Sequence, residues 1–142
     1  HGLAYAVHAG HQAYHVTGYF AAYAGSPHER REEVAERIVG HLARVKKSGV
    51  TSEELSRAKD NIRGHMALSL ESTDEVASFL GAQEVLLGRI RKPEEILKKI
   101  DRITKEDIQR VARVLFRTDR MYATIVGPKL KPEVYEKILR GV

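Results

Sequence analysis

The sequence predicts an α+β domain, an antiparallel sheet made from an N-terminal hairpin plus a late strand and covered by several helices. Three observations carry this. Leu3 to Ala9 and Val16 to Ala24 are small, aromatic and β-branched runs with few charges. Most of the chain beyond Gly25 has helical apolar spacing behind hydroxyl caps. A last apolar run, Met121 to Val126, is closed by Gly127-Pro128. Strands segregated from helices in this way favour helices packed on an antiparallel sheet.

Between the first two runs, Gly10-His11-Gln12-Ala13-Tyr14-His15 is polar and reads as the hairpin connection. Gly18, inside the second run, signals a bulge or a close backbone approach. Gly25-Ser26-Pro27 ends that strand, with Ser26 placed to cap a helix and Pro27 at its first position. From Pro27 to Lys47, Val34, Ile38, Leu42 and Val45 mark one helical face, and Gly49 stops the helix. Thr51-Ser52-Glu53-Glu54 is a capping box, in which hydroxyl and carboxylate each satisfy an orphan amide. Leu55, Ala58, Ile62 and Met66 then form an inward stripe that continues to Leu70. Ser72-Thr73-Asp74-Glu75 offers a second box, ahead of Val76, Phe79, Leu80, Val85 and Leu86, and Gly88 closes that helix. Pro93 starts a short helix with Ile96, Leu97 and Ile100. Thr104 with Asp107 starts another, burying Ile108, Val111, Ala112 and Leu115. Pro132 leads a final helix to Leu139.

With 142 residues the chain fits a single domain, 1–142, with enough length for a core. The first strand begins at the first residue, and three strands are few for so many amphipathic helices. The expectation is a domain cut at its N-terminus, with further strands upstream. No cysteine occurs, which rules out disulfides, thiolate zinc sites and cysteine nucleophiles and fits a reducing cytoplasm. No stretch reaches the roughly 18 apolar residues that span a bilayer, so no membrane role is expected. The net charge of +5 raises the question of nucleic acid. However, Glu29-Arg30-Arg31-Glu32-Glu33 and Lys92-Pro93-Glu94-Glu95 interleave the signs, as solvated helix faces do. No basic stripe alternates with aromatics, and a nucleic-acid partner is not expected.

Histidine is where catalytic chemistry would first be sought. His11-Gln12-Ala13-Tyr14-His15 has the spacing of His-x-x-Glu-His, but Tyr14 stands where the general base is needed, and the setting is a strand connection. A tyrosine cannot take a proton from metal-bound water at neutral pH as a carboxylate does. His8, His11 and His15 therefore read as solvated or packed hairpin residues. His41 and His65 read as polar positions on helix faces. Glu71, ending an apolar run, reads as a cap or a helix-dipole carboxylate. No phosphate loop, nucleophile elbow or Ser-His-Asp pattern occurs, so the residues alone define no self-contained active site.

Five fragments occur in the same order in one known family: Gly2-Leu3-Ala4-Tyr5-Ala6-Val7, Tyr19-Phe20-Ala21-Ala22-Tyr23-Ala24-Gly25, the stretch from Gly49 to Lys59, Leu68-Ser69-Leu70-Glu71-Ser72-Thr73, and Ile125-Val126-Gly127-Pro128. By these the chain resembles the pitrilysin/insulinase/mitochondrial processing peptidase family of zinc metallopeptidases. It is most similar to the later, non-zinc-binding half of the compact prokaryotic members. The resemblance implies that the amino-terminal half carries His-x-x-Glu-His and a downstream Glu, binds zinc and activates water. The carboxy-terminal half closes over a peptide substrate and supplies an Arg and a Tyr seven residues apart. Tyr5 matches that Tyr. The Arg position falls three residues upstream of His1, and His1 itself departs from the Arg-like residue usual there. The implied partners are the amino-terminal half and the peptide, with a homodimer also open. Zinc is implied for the full-length enzyme, no metal ligand or cofactor site for this segment, and no activity for the segment alone. Relatives that have lost their zinc ligands and act as scaffolds or substrate-gripping subunits are the alternative. For Tyr5, the residues themselves leave open a strand aromatic packed on a helix.

Overall fold

A computed structural model describes residues 2–142. The order is strand β1 (Ala6–Ala13), strand β2 (Gly18–Gly25), a short 3₁₀ turn (His28–Arg30), then α1 (Arg31–Ser48), α2 (Ser52–Leu68), α3 (Thr73–Leu87), α4 (Pro93–Asp101) and α5 (Lys105–Leu115). A second 3₁₀ turn (Thr118–Arg120) and α6 (Pro132–Leu139) complete it. A two-stranded antiparallel sheet with six helices among the described residues is the α+β arrangement that the sequence predicts. The residues gather into two compact units: one runs up to Gly49 and resumes at Ile108, and the other is Val50–Asp107.

In the first unit, β1 and β2 pair from Ala6↔Gly25 to Ala13↔Gly18. The strands are therefore displaced from their predicted bounds, and Gly10 to Ala13 are ladder rather than loop. The connection is Tyr14 to Thr17, closed by the Tyr14 N–H donating to the Thr17 carbonyl at 2.8 Å. The physical reason for the shift is exposure. Most hairpin side chains on both faces are exposed, so polarity does not mark the strand ends there, and turn closure sets the register. Gly18 is a close approach rather than a bulge. A β-carbon there would stand 2.7 Å from the Gln12 carbonyl oxygen.

The predicted third strand does not form among the described residues. Met121 has extended backbone angles, but residues 121–126 have no ladder partner, and Tyr122 and Val126 are 91% and 96% exposed. Apolar, β-branched sequence marks a segment suited to a sheet, but only a neighbouring edge makes it a strand. The start of α1 ties down the end of this segment. Arg31 donates from Nη1 to the Pro128 carbonyl at 2.7 Å and from Nη2 to that of Lys129 at 2.9 Å.

The core of this unit lies between α1 and α6. Val34 and Val39 on α1, Ala112 on α5 and Tyr135 on α6 are its buried apolar residues among those described. The predicted α1 stripe is right at Val34 and half-right at Ile38, Leu42 and Val45, which are half-buried. On α5 only Ala112 is buried, while Val111 and Leu115 are exposed. Phe116 meets Phe20 of β2 edge-on, with ring centroids 5.3 Å apart. Gln109 caps α1 from a distance, its Nε2 donating to the Lys47 carbonyl at 2.7 Å. Ser26 makes no cap; Pro27 instead precedes the 3₁₀ turn, which carries no side-chain cap.

The second unit is built from locally coded helices. The Thr51 hydroxyl accepts from the Glu54 N–H at 3.1 Å, and the Glu54 carboxylate accepts from the Thr51 N–H at 2.8 Å, which is the predicted box. Ser72 accepts from the Glu75 N–H, and Thr104 and Asp107 repeat the arrangement at α5. Gly88 ends α3 with φ +61°, a left-handed conformation that favours glycine. Pro93 and Pro132 occupy first-turn positions of α4 and α6. Lys59 of α2 closes α4, its ammonium donating to the carbonyls of Asp101 at 2.8 Å and Ile103 at 2.7 Å. Arg63 bridges Asp60 and Asp101. Gln83, which carries no sequence signal, is buried and holds the α3–α4 connection through both the N–H and carbonyl of Arg91.

The predicted inward stripes are largely open. On α2, Ala58 and Ile62 are exposed and no residue is buried; on α3, Val85 and Leu86 are exposed. Periodicity identified the faces as apolar, but among the described residues most of these positions are exposed or half-buried.

These local bonds carry two expected outcomes. Thr51→Ala is expected to lower stability by about 1 kcal/mol in chemical denaturation, with Thr51→Ser close to the parent. The second concerns Arg117, which donates to Asp119 from Nε at 2.9 Å and Nη2 at 2.7 Å and holds that carboxyl below its ordinary range. A lowered folded pKa contributes stability above the unfolded value and loses it as pH falls through the folded one. Asp119→Asn should therefore lower the denaturation midpoint at neutral pH, and the difference should close as pH drops below about 3.9. A difference persisting in acid would contradict the pairing.

Candidate functional site

Tyr5 sits one residue before β1, at a bend, and its N–H donates to the Gly25 carbonyl at 2.9 Å. Gly25 is also the ladder partner of Ala6, so this bond sets Tyr5 beside the same residue and fixes its backbone against the end of β2. The ring lies over Gly25, where a β-carbon would stand 2.5 Å from Cε2 and 3.2 Å from the hydroxyl oxygen. It is 79% exposed, and the hydroxyl makes no hydrogen bond among the described residues. Tyr5 is thus not an anchor buried against a helix. It is a phenol seated on backbone with its donor free.

The hairpin separates the histidines. Side chains alternate between faces, so His8 shares one face with Gly10 and Gln12, while His11 projects from the other beside Ala9 and Ala13. The His8 ring leans over Gly10 and pairs across the ladder with Tyr23; His11 stands opposite Phe20. His15 belongs to the connecting turn, and all three histidines are exposed. The His11–His15 spacing, which would share a face on a helix, here spans a strand end and a turn. Among the described residues no group of three His, Asp or Glu could hold a metal ion. His41 and His65 are exposed on α1 and α2, and Glu71 is exposed in the turn before the cap residue Ser72. His1 lies outside the described residues.

The charges are arranged as solvated faces. Glu33 is within 3.1 Å of Arg30 and 3.6 Å of Arg37, and Glu53 lies 3.9 Å from Arg57. An open cleft of about 520 Å³ is lined by Ala43, Lys46, Lys47, Arg113, Gly141 and Val142 and does not include Tyr5. No described helix is long and apolar enough to cross a membrane.

Residues 1–62 match the family described as the peptidase M16 inactive domain. The zinc protease YmxG of Bacillus subtilis is 36% identical over 124 residues, which is 87% of this chain. A zinc protease of Mycobacterium leprae is 32% identical over 139 residues, or 98% of the chain. A zinc protease of Rickettsia bellii is 30% identical over 127 residues. The chain belongs to the pitrilysin/insulinase/mitochondrial processing peptidase family. It matches the carboxy-terminal half, described as the inactive domain, and it spans about 30% of the length of these relatives. The sequence similarity runs well beyond the 62 residues of the family match, through α2 to α5 and, in the mycobacterial protein, across almost the whole chain. Within the family's pattern, the hairpin and Tyr5 fall inside the matched 62 residues. The Tyr5–Gly25 contact carried no separate signal in the sequence. Its residues are twenty apart and meet only because of the hairpin register.

Proposed function

We propose that these 142 residues form most of the carboxy-terminal domain of a zinc-dependent endopeptidase, one that closes over a peptide substrate and helps stabilise the oxyanion of peptide-bond hydrolysis. The observation that carries the reading is Tyr5, a phenol beside the hairpin and within the 62 residues of the family match, exposed and with its hydroxyl uncommitted. The names of the relatives, zinc proteases, support the reaction class. The metal belongs to the amino-terminal half, where it would activate the attacking water.

The task left to this chain is electrostatic. As water adds to a peptide carbonyl, negative charge gathers on the carbonyl oxygen. A hydrogen bond from the Tyr5 hydroxyl strengthens as that charge grows, so it favours the transition state over the bound substrate. Because the donor arrives from the opposite half, turnover requires closure of the two halves around an unfolded segment. A catalytic partner for the hairpin also suits its exposed aromatic surface, to which Tyr14, Tyr19 and Tyr23 contribute.

The second reading is a scaffold or substrate-gripping relative, in which the amino-terminal half would have lost its zinc ligands. The full-length gene product decides between them. Under the enzyme reading it cleaves a quenched unstructured peptide and loses that activity to a chelator, with recovery on adding zinc. Absence of cleavage, with no metal retained, establishes the scaffold.

A further inference from the structure

Gly25 is the last residue of β2, paired with Ala6 and buried. Its φ is not in the left-handed region, so its backbone conformation admits any residue. What demands glycine here is the ring of Tyr5. An added β-carbon would stand 2.5 Å from Cε2, 2.9 Å from Cζ and 3.2 Å from the hydroxyl oxygen. Real side chains do not approach so closely. One residue therefore registers Tyr5 twice. Its carbonyl accepts the Tyr5 N–H at 2.9 Å, and its missing side chain leaves the space that the phenol occupies.

Little else holds the ring, which is 79% exposed with no hydrogen bond from its hydroxyl among the described residues. We propose that Gly25 is a positioning residue whose hydrogen atom in place of a side chain seats the Tyr5 phenol. The inference rests on the reading of Tyr5 as a donor to the substrate carbonyl. It adds the residue that sets where the donor stands. Placement matters because a reacting group misplaced by about 1 Å costs about 10²-fold in rate. The ring is also the far end of a mostly exposed side chain. A methyl group at position 25 would push it aside at small cost to folding, and so separates position from stability.

The test uses the full-length protein, with 3-fluorotyrosine at position 5 for resonance measurements and unlabelled protein for peptide turnover. Gly25→Ala is expected to shift the fluorine resonance and to lower kcat by about 10²-fold, with KM within about twofold. In the Tyr5→Phe background, Gly25→Ala should cost no further kcat, because the donor it displaces is already gone. An unmoved resonance, or a kcat loss that multiplies with that of Tyr5→Phe, overturns the inference. Where Gly25→Ala lowers Tm, the additional change Tyr5→Ala should restore it, and a loss that survives places the role of Gly25 in the backbone instead. If Tyr5→Phe alone leaves kcat intact, the carbonyl-donor reading falls, while the fluorine resonance still decides whether Gly25 seats the ring.

Discussion

Tyr5→Phe in the full-length protein is expected to lower kcat about 10²-fold while leaving KM, zinc content and Tm near those of the parent. The split comes from where the hydroxyl acts. A donor aimed at a developing oxyanion contributes little to the uncharged carbonyl of bound substrate, so its loss falls on turnover. The ring that Phe retains still fits over Gly25, and the hydroxyl makes no hydrogen bond among the described residues that folding would miss. Peptide-cleavage kinetics with a metal assay on the same preparations check this. Unaltered kcat would remove Tyr5 from the mechanism, whereas a rise in KM alone would make it a substrate-binding residue.

The largest stability effect is expected at Tyr135. Its side chain is buried on α6, which packs along α1, and its hydroxyl is buried without a hydrogen-bond partner among the described residues. Tyr135→Ala should cost about 3–5 kcal/mol, through lost burial and the cavity left between the helices. Tyr135→Phe should be neutral or stabilising by about 1 kcal/mol, because it removes a hydroxyl that gave up water for nothing. Chemical denaturation of both variants separates the terms. A Phe variant destabilised by more than about 1 kcal/mol would show that the hydroxyl has a partner.

The legible features of this chain are the local ones. Thr51, Ser72 and Thr104 cap helices because the groups they satisfy lie three residues away, within reach whatever the rest of the chain does. Gly49 and Gly88 stop helices with φ of +71° and +61°, and Pro93 and Pro132 start them, for equally local reasons. Non-local partners left no such trace. Gln83 on Arg91, Gln109 on Lys47 and Arg31 on Pro128 are polar residues whose carbonyl partners are supplied only by the fold. The stripe on α2 misled for a related reason. Apolar spacing reports which face would be buried, but burial needs a neighbour.

The candidate site divides along the same line. Resemblance selected Tyr5, and the histidine spacing was set aside because Tyr14 replaces the base. Strand alternation places His8 and His11 on opposite faces, an arrangement that only the hairpin register decides.

The sequence by itself determined the α+β class, most helix ends other than the start of α1, and the family half to which the chain belongs, since each is written in short motifs. Only the tertiary structure decided the hairpin register, the unpaired course of Met121 to Val126 and the seat of Tyr5 on Gly25. Strand pairing and ring placement are set by which distant backbone arrives alongside, and in an exposed ribbon no hydrophobic pattern encodes that arrival.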